Sequence, residues 1–155
     1  MKNKYKSIAR ILLLLLIAAT LVFIFLQSTK PPQKSQAESD KVGEIVGEII
    51  PPGTPAGDYV QENIRKIAHF TEFFFLGCEV SLYVILFLPR IKWAALSFPT
   101  ALIVAFFDES IQIFSNRGPS VKDVWIDFFG FAFASACFYT VAAIVIFIYG
   151  KCKQK

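Results

Sequence analysis

A chain of 155 residues is about one domain long, and its 55% hydrophobic and 18% charged content sets it apart from ordinary soluble domains. Its net charge of +4 does not indicate a nucleic-acid binder. The basic residues sit in short clusters flanking apolar runs, which is the pattern of membrane topology rather than of a phosphate-tracking surface.

Lys2, Lys4, Lys6 and Arg10 precede an apolar run over residues 11–26, broken only by Thr20. Counted from Ile8, the run reaches the roughly 20 residues that a spanning helix needs. The small-residue site Ser35-Gln36-Ala37 lies far beyond the apolar end, so residues 1–26 are expected to be an uncleaved N-terminal transmembrane helix. Residues 27–57 are polar and rich in Pro, Ser and Gln. They read as an exposed extracytoplasmic linker, with a short helix at 41–50 where Val42, Ile45, Val46 and Ile49 recur at helical spacing.

The second spanning helix is expected to start near Asp58, with Asp58 at the cap and Gln61 three residues on. It enters an apolar region at Ile67 and runs to Leu88, where Pro89-Arg90-Ile91-Lys92 forms a tight basic turn. A third segment follows over 93–114, with Pro99 as a kink that membrane helices tolerate. After a loop at 115–122 with a Gly118-Pro119 turn, Ser120 and Asp123 fit the start of a fourth helix that ends near Tyr149. Residues 151–155 form a basic tail. Cys78, Cys137 and Cys152 have no metal-ligand spacing, and no disulfide framework is expected. The expected fold is an all-α polytopic membrane protein, a bundle of four transmembrane helices, with residues 58–150 as a three-helix unit after the N-terminal helix. The N-terminus, the Arg90 turn and the tail carry basic residues and no Asp or Glu, so the positive-inside rule gives an N-in, C-in orientation.

In that topology three helices bring polar side chains to one depth, on the outer side. Arg65, His69 and Glu72 stand at i, i+4 and i+7, and Glu79 continues their stripe. Asp108, Glu109 and Gln112 share a face of the third helix. Asp123 and Asp127 share a face of the fourth, extended by Gly130 and Ala134, small residues that permit close helix approach. Ionisable groups inside a bilayer are expensive and default to a functional role. The expected arrangement is a polar pocket open to the outer surface, with Arg117 reaching in from the loop.

The run Arg65-Lys66-x-x-His69-x-x-Glu72, then Asp108-Glu109-x-x-Gln112, Arg117, a Ser before Asp123, and Asp127 with Gly130, resembles the VanZ-like family of bacterial membrane proteins. The motifs cover roughly residues 65–149. The resemblance implies a small multi-pass protein of the bacterial cell membrane. The family's founding member is linked to reduced susceptibility to the glycopeptide teicoplanin, which binds cell-wall precursors.

Each polar group has a functional and a structural reading. His69, the only histidine, with Glu72 and Asp108, is the candidate for general acid–base chemistry. The structural alternative is a histidine that bonds a carboxylate to lock two helices. Arg65, Lys66 and Arg117 suit an anionic head group, Arg through its planar fork. Glu109, Gln112, Ser120, Asp123 and Asp127 complete the candidate ligand contacts. Carboxylates with one imidazole suit Mg²⁺ or Mn²⁺, but no signature such as His-Glu-x-x-His occurs, and neither metal nor cofactor is assigned. The structural alternative is an ion-pair network that fixes helix register. Glu79 is expected to be protonated or bonded to another helix.

Three functions follow. The first is a binder of a polar or phosphorylated envelope ligand, such as a lipid-linked cell-wall precursor or a glycopeptide-related ligand, with the lipid bilayer as its other partner. The second is a membrane hydrolase or transferase acting on a lipid phosphate. The third is a non-catalytic adaptor for a larger envelope protein. Four helices without an inverted repeat make a transporter a poor fit.

Overall fold

The computed structural model of the chain describes residues 2–152. It contains five helices: α1 (Lys2–Ser28), α2 (Pro32–Ile49), α3 (Pro55–Phe87), α4 (Ile91–Phe114) and α5 (Val121–Cys152). There is no strand among the described residues. All but α2 are long and apolar enough to cross a membrane. The last three residues of the basic tail, 153–155, lie outside the described residues.

Almost none of α1 is buried, and Leu14, Leu15 and Leu16, which point to different sides of it, are all exposed. A helix that is apolar all round but has so little protein against it is suited to lipid. The core is correspondingly thin: Ile24, Phe73, Leu76, Ala101, Ala105 and Phe131. In lipid, helices associate by close van der Waals packing and hydrogen bonds rather than by hiding apolar surface from water. The α3–α5 pair is the most extensive in the bundle and shows both devices. A Cβ on Gly130 would land on the carbonyl oxygen of Phe70, and one on Gly77 would collide with the backbone of Phe131. One pitch further along, Ser81 donates to Ser135 at 2.9 Å in a fully buried position.

Two elements differ from expectation. α3 begins three residues before Asp58 and is capped by Thr54, whose Oγ1 accepts from the Gly57 amide at 3.0 Å. Pro55 opens the helix rather than ending the linker, because proline lacks an amide and its fixed φ already suits the first turn. Asp58 instead accepts from the Gly53 amide at 2.8 Å. The stretch 27–57 is also more ordered than a linker. It contains the 18-residue α2, which reaches back to Pro32.

The length of α3 explains what α2 packs on. Its 33 residues extend about 50 Å, well beyond a hydrocarbon core of roughly 30 Å. The excess carries Asp58, Glu62, Arg65 and Lys66, and against it α2 lies with Gln61 Nε2 donating to the Gly43 carbonyl at 2.8 Å. Lys30, just after α1, pairs with Glu38 of α2 at 2.5 Å. α2 is thereby tied at one end of the bundle, above the polar side chains.

Candidate ligand site at one end of the bundle

The polar cluster lies where the C-terminal ends of α1 and α4 meet the N-terminal halves of α3 and α5. Each helix contributes by a simple local rule. Asp108, Glu109 and Gln112 occupy one face of the last turns of α4, and all three are buried. Asp127 lies on the α5 face that Gly130 brings close to α3, and it is fully buried. His69 projects from α3 toward both, at 8% exposure.

His69 Nδ1 stands 3.4 Å from Asp127 Oδ1 and 3.7 Å from Asp108 Oδ2. Gln112 is the hub beside them. Its amide nitrogen donates to Glu109 Oε1 at 2.8 Å and lies 3.4 Å from Asp108 Oδ2, while its oxygen accepts from Arg65 Nη2 at 2.8 Å. The second oxygen of Glu109 accepts from the Ser120 backbone amide at 2.8 Å.

The loop after α4 delivers Arg117. Asn116 has φ 54°, a left-handed conformation that asparagine tolerates better than most residues. The reversal lets the Arg117 amide close on the Gln112 carbonyl at 3.0 Å. The Arg117 side chain is buried, with Nη1 donating to the Gln27 carbonyl at 3.3 Å and Nε without a partner. Burial, with Arg65 close by, lowers its pKa from the ordinary guanidinium value.

Two spaces adjoin the cluster. A polar cavity of about 130 Å³ is walled by Arg65, His69, Glu72 and Arg117 and roofed by Ser35 and Ser39 of α2. A larger apolar groove of about 590 Å³ runs between α1, α2 and α3, past Phe23, Val46, Ile67 and Phe75. The two share Val42, Ile64, Ala68 and Glu72, so they are parts of one surface.

The residues singled out in the sequence divide accordingly. His69, Asp108, Glu109, Gln112, Arg117 and Asp127 are buried together, and Arg65 reaches them from a more exposed position. Ser120 contributes its backbone amide. Asp123 is half-buried in the first turn of α5, where its amide donates to the Ser120 carbonyl at 3.0 Å. Lys66 points outward and bonds only its neighbour Asn63, at 3.0 Å, which removes it from the cavity wall. The α3 stripe also splits. His69 is rotated about 60° from Glu72, and the heptad step to Glu79 drifts further the same way. Glu72 therefore lines both the polar cavity and the groove, while Glu79 lines the groove and accepts from Thr20 of α1 at 2.9 Å.

The sequence reading missed Ser28. This last residue of α1 is buried, donates from Oγ to Asp108 Oδ1, and offers its carbonyl to Ser115 at 2.9 Å. The clue was positional. Gln27 and Ser28 end the first apolar run at the level where the other three helices place their polar groups.

No curated protein and no solved structure matches the chain. A sequence model described as VanZ/LLP1 matches residues 11–146, taking in α1 and α2 as well as the motif-bearing helices. With most of its length matched, the chain belongs to the VanZ/LLP1 family.

Proposed function

We propose that the protein binds a lipid-linked, phosphorylated ligand of the cell envelope, with the head group in the polar cavity and the lipid chain in the adjoining groove. The observation that carries this reading is the pair Arg65 and Arg117, two guanidiniums on the wall of one cavity. They repel each other, and the buried Nε of Arg117 lacks an acceptor. A phosphate supplies acceptor oxygens and negative charge in the geometry that guanidinium forks match best. The apolar groove sharing Ile64, Ala68 and Glu72 with that cavity supports a ligand that is part lipid.

With the N-in, C-in orientation that the charge pattern favours, the cavity faces the outer side of the bacterial cell membrane. A lipid-linked cell-wall precursor has the required chemistry there. Through the family, the physiological effect is on glycopeptide tolerance, teicoplanin included, or on envelope homeostasis. The test is binding by purified protein in nanodiscs of a polyprenyl phosphate against the matching polyprenol. The reading expects at least about a tenfold preference for the phosphate, or roughly 1.4 kcal/mol. Equal binding of alcohol and phosphate contradicts it.

The closeness of His69 to Asp108 and Asp127 favours a second reading, a hydrolase or transferase on the same ligand class. Turnover of polyprenyl phosphate or diphosphate, abolished in His69→Gln, separates it from binding alone.

A further inference from the structure

We infer that His69, Asp108 and Asp127 form a binding site for a divalent transition-metal ion, with Mn²⁺ and Zn²⁺ as the fitting choices. The inference goes beyond the lipid reading and stands without it.

The three side chains converge at ion-pair distance but without a hydrogen bond between them. Asp127 is 0% exposed, yet neither of its carboxylate oxygens has a hydrogen-bond partner, and His69 Nδ1 has none either. Buried polar atoms are almost always paired, and a buried carboxylate facing another carboxylate is especially unfavourable. One cation in the gap satisfies these atoms together. The candidate ligand atoms of the three residues all lie within 4.8 Å of one another. Donors bound at 2.0–2.2 Å stand about 3.0 Å apart at adjacent octahedral corners and about 3.4 Å apart at tetrahedral ones. The observed 3.4 and 3.7 Å from His69 Nδ1 lie near these values, and the two carboxylates, within 4.8 Å of each other, would draw together around the ion.

Charge and ligand type narrow the ion. Two carboxylates balance a divalent cation when the imidazole is neutral. One imidazole with two carboxylates suits Mn²⁺ or Zn²⁺ better than Ca²⁺ or Mg²⁺, which prefer oxygen alone. The surroundings resemble an outer shell that orients ligands. Ser28 bonds the other oxygen of Asp108, and the Gln112 amide approaches from the same helix. Of the three ligands, His69 also walls the polar cavity, so the site adjoins the space where a phosphate would sit. No spacing motif announces this set, because its members come from three different helices.

The test uses the full chain purified in detergent with a tag that contains no histidine, stripped with chelator, then titrated with Mn²⁺ or Zn²⁺ alone. The expected result is about one ion per chain, with affinity lowered at least about tenfold in Asp127→Asn and His69→Gln and unchanged in Glu44→Gln on exposed α2. Because His69 is the only histidine, bound Mn²⁺ should also show pulsed-EPR coupling to an imidazole nitrogen in the unmodified chain. That readout needs no variant to fold. Less than about a tenth of an ion per chain, absence of the nitrogen coupling, or wild-type affinity in both variants overturns the proposal.

Discussion

His69 Nδ1 faces Asp127 Oδ1 across 3.4 Å, with no hydrogen bond between them. One residue comes from the middle of α3 and the other from the start of α5, two helices locked together by Gly130 against Phe70. The backbone packing therefore sets the distance between the two side chains.

The first prediction concerns that lock. Gly130→Ala places a methyl group on the Phe70 carbonyl and should destabilise the bundle by about 1–3 kcal/mol. Gly118→Ala, which meets nothing within 4 Å, should be near neutral. Denaturation midpoints of the two variants in detergent provide the comparison.

Gln112 connects Arg65 with Glu109 and lies beside Asp108, so Gln112→Leu leaves buried polar groups unmatched. A loss of about 1–3 kcal/mol is expected. Lys66→Ala, at an exposed side chain bonded only to Asn63, should change stability by no more than about 0.5 kcal/mol. The same denaturation assay separates the two.

Ser28→Ala removes the hydroxyl that holds Asp108 while leaving all three proposed metal ligands in place. Mn²⁺ affinity should fall about 10–100-fold while stoichiometry is retained. A titration at matched protein concentration reads both quantities.

The orientation is tested by labelling. In a background lacking Cys78, Cys137 and Cys152, a cysteine at Asn116 should react with a membrane-impermeant maleimide added outside intact cells. A cysteine at Lys92 should react only after permeabilisation. The reverse pattern would turn the whole assembly over in the membrane.

These predictions also mark how far the sequence carried. The four spanning segments were legible because each is an apolar run of sufficient length, and the polar groups were legible because charge among apolar residues is conspicuous. Thr54 was missed as a cap because Pro55 looked like linker, although proline favours a first helical turn. α2 was underestimated because its polar N-terminal half gives weak periodicity, while its position depends on partners such as Gln61 and Glu38. Ser28 was invisible because a single serine at the end of an apolar run carries no pattern. Its role exists only once α4 lies beside it. The departure of Glu79 from the cavity that His69 and Glu72 share also needed three dimensions, since residues sharing a helical stripe can still face different neighbours.

The most direct test of the account is a double-mutant cycle on phosphate binding. Polyprenyl phosphate affinity is measured for the unmodified chain, Arg65→Gln, Arg117→Gln and the double variant in the same nanodiscs. If both guanidiniums grip one head group in the cavity they share, the losses are non-additive, with a coupling of about 0.5–3 kcal/mol. Strictly additive losses, or affinity untouched by either substitution, would contradict it.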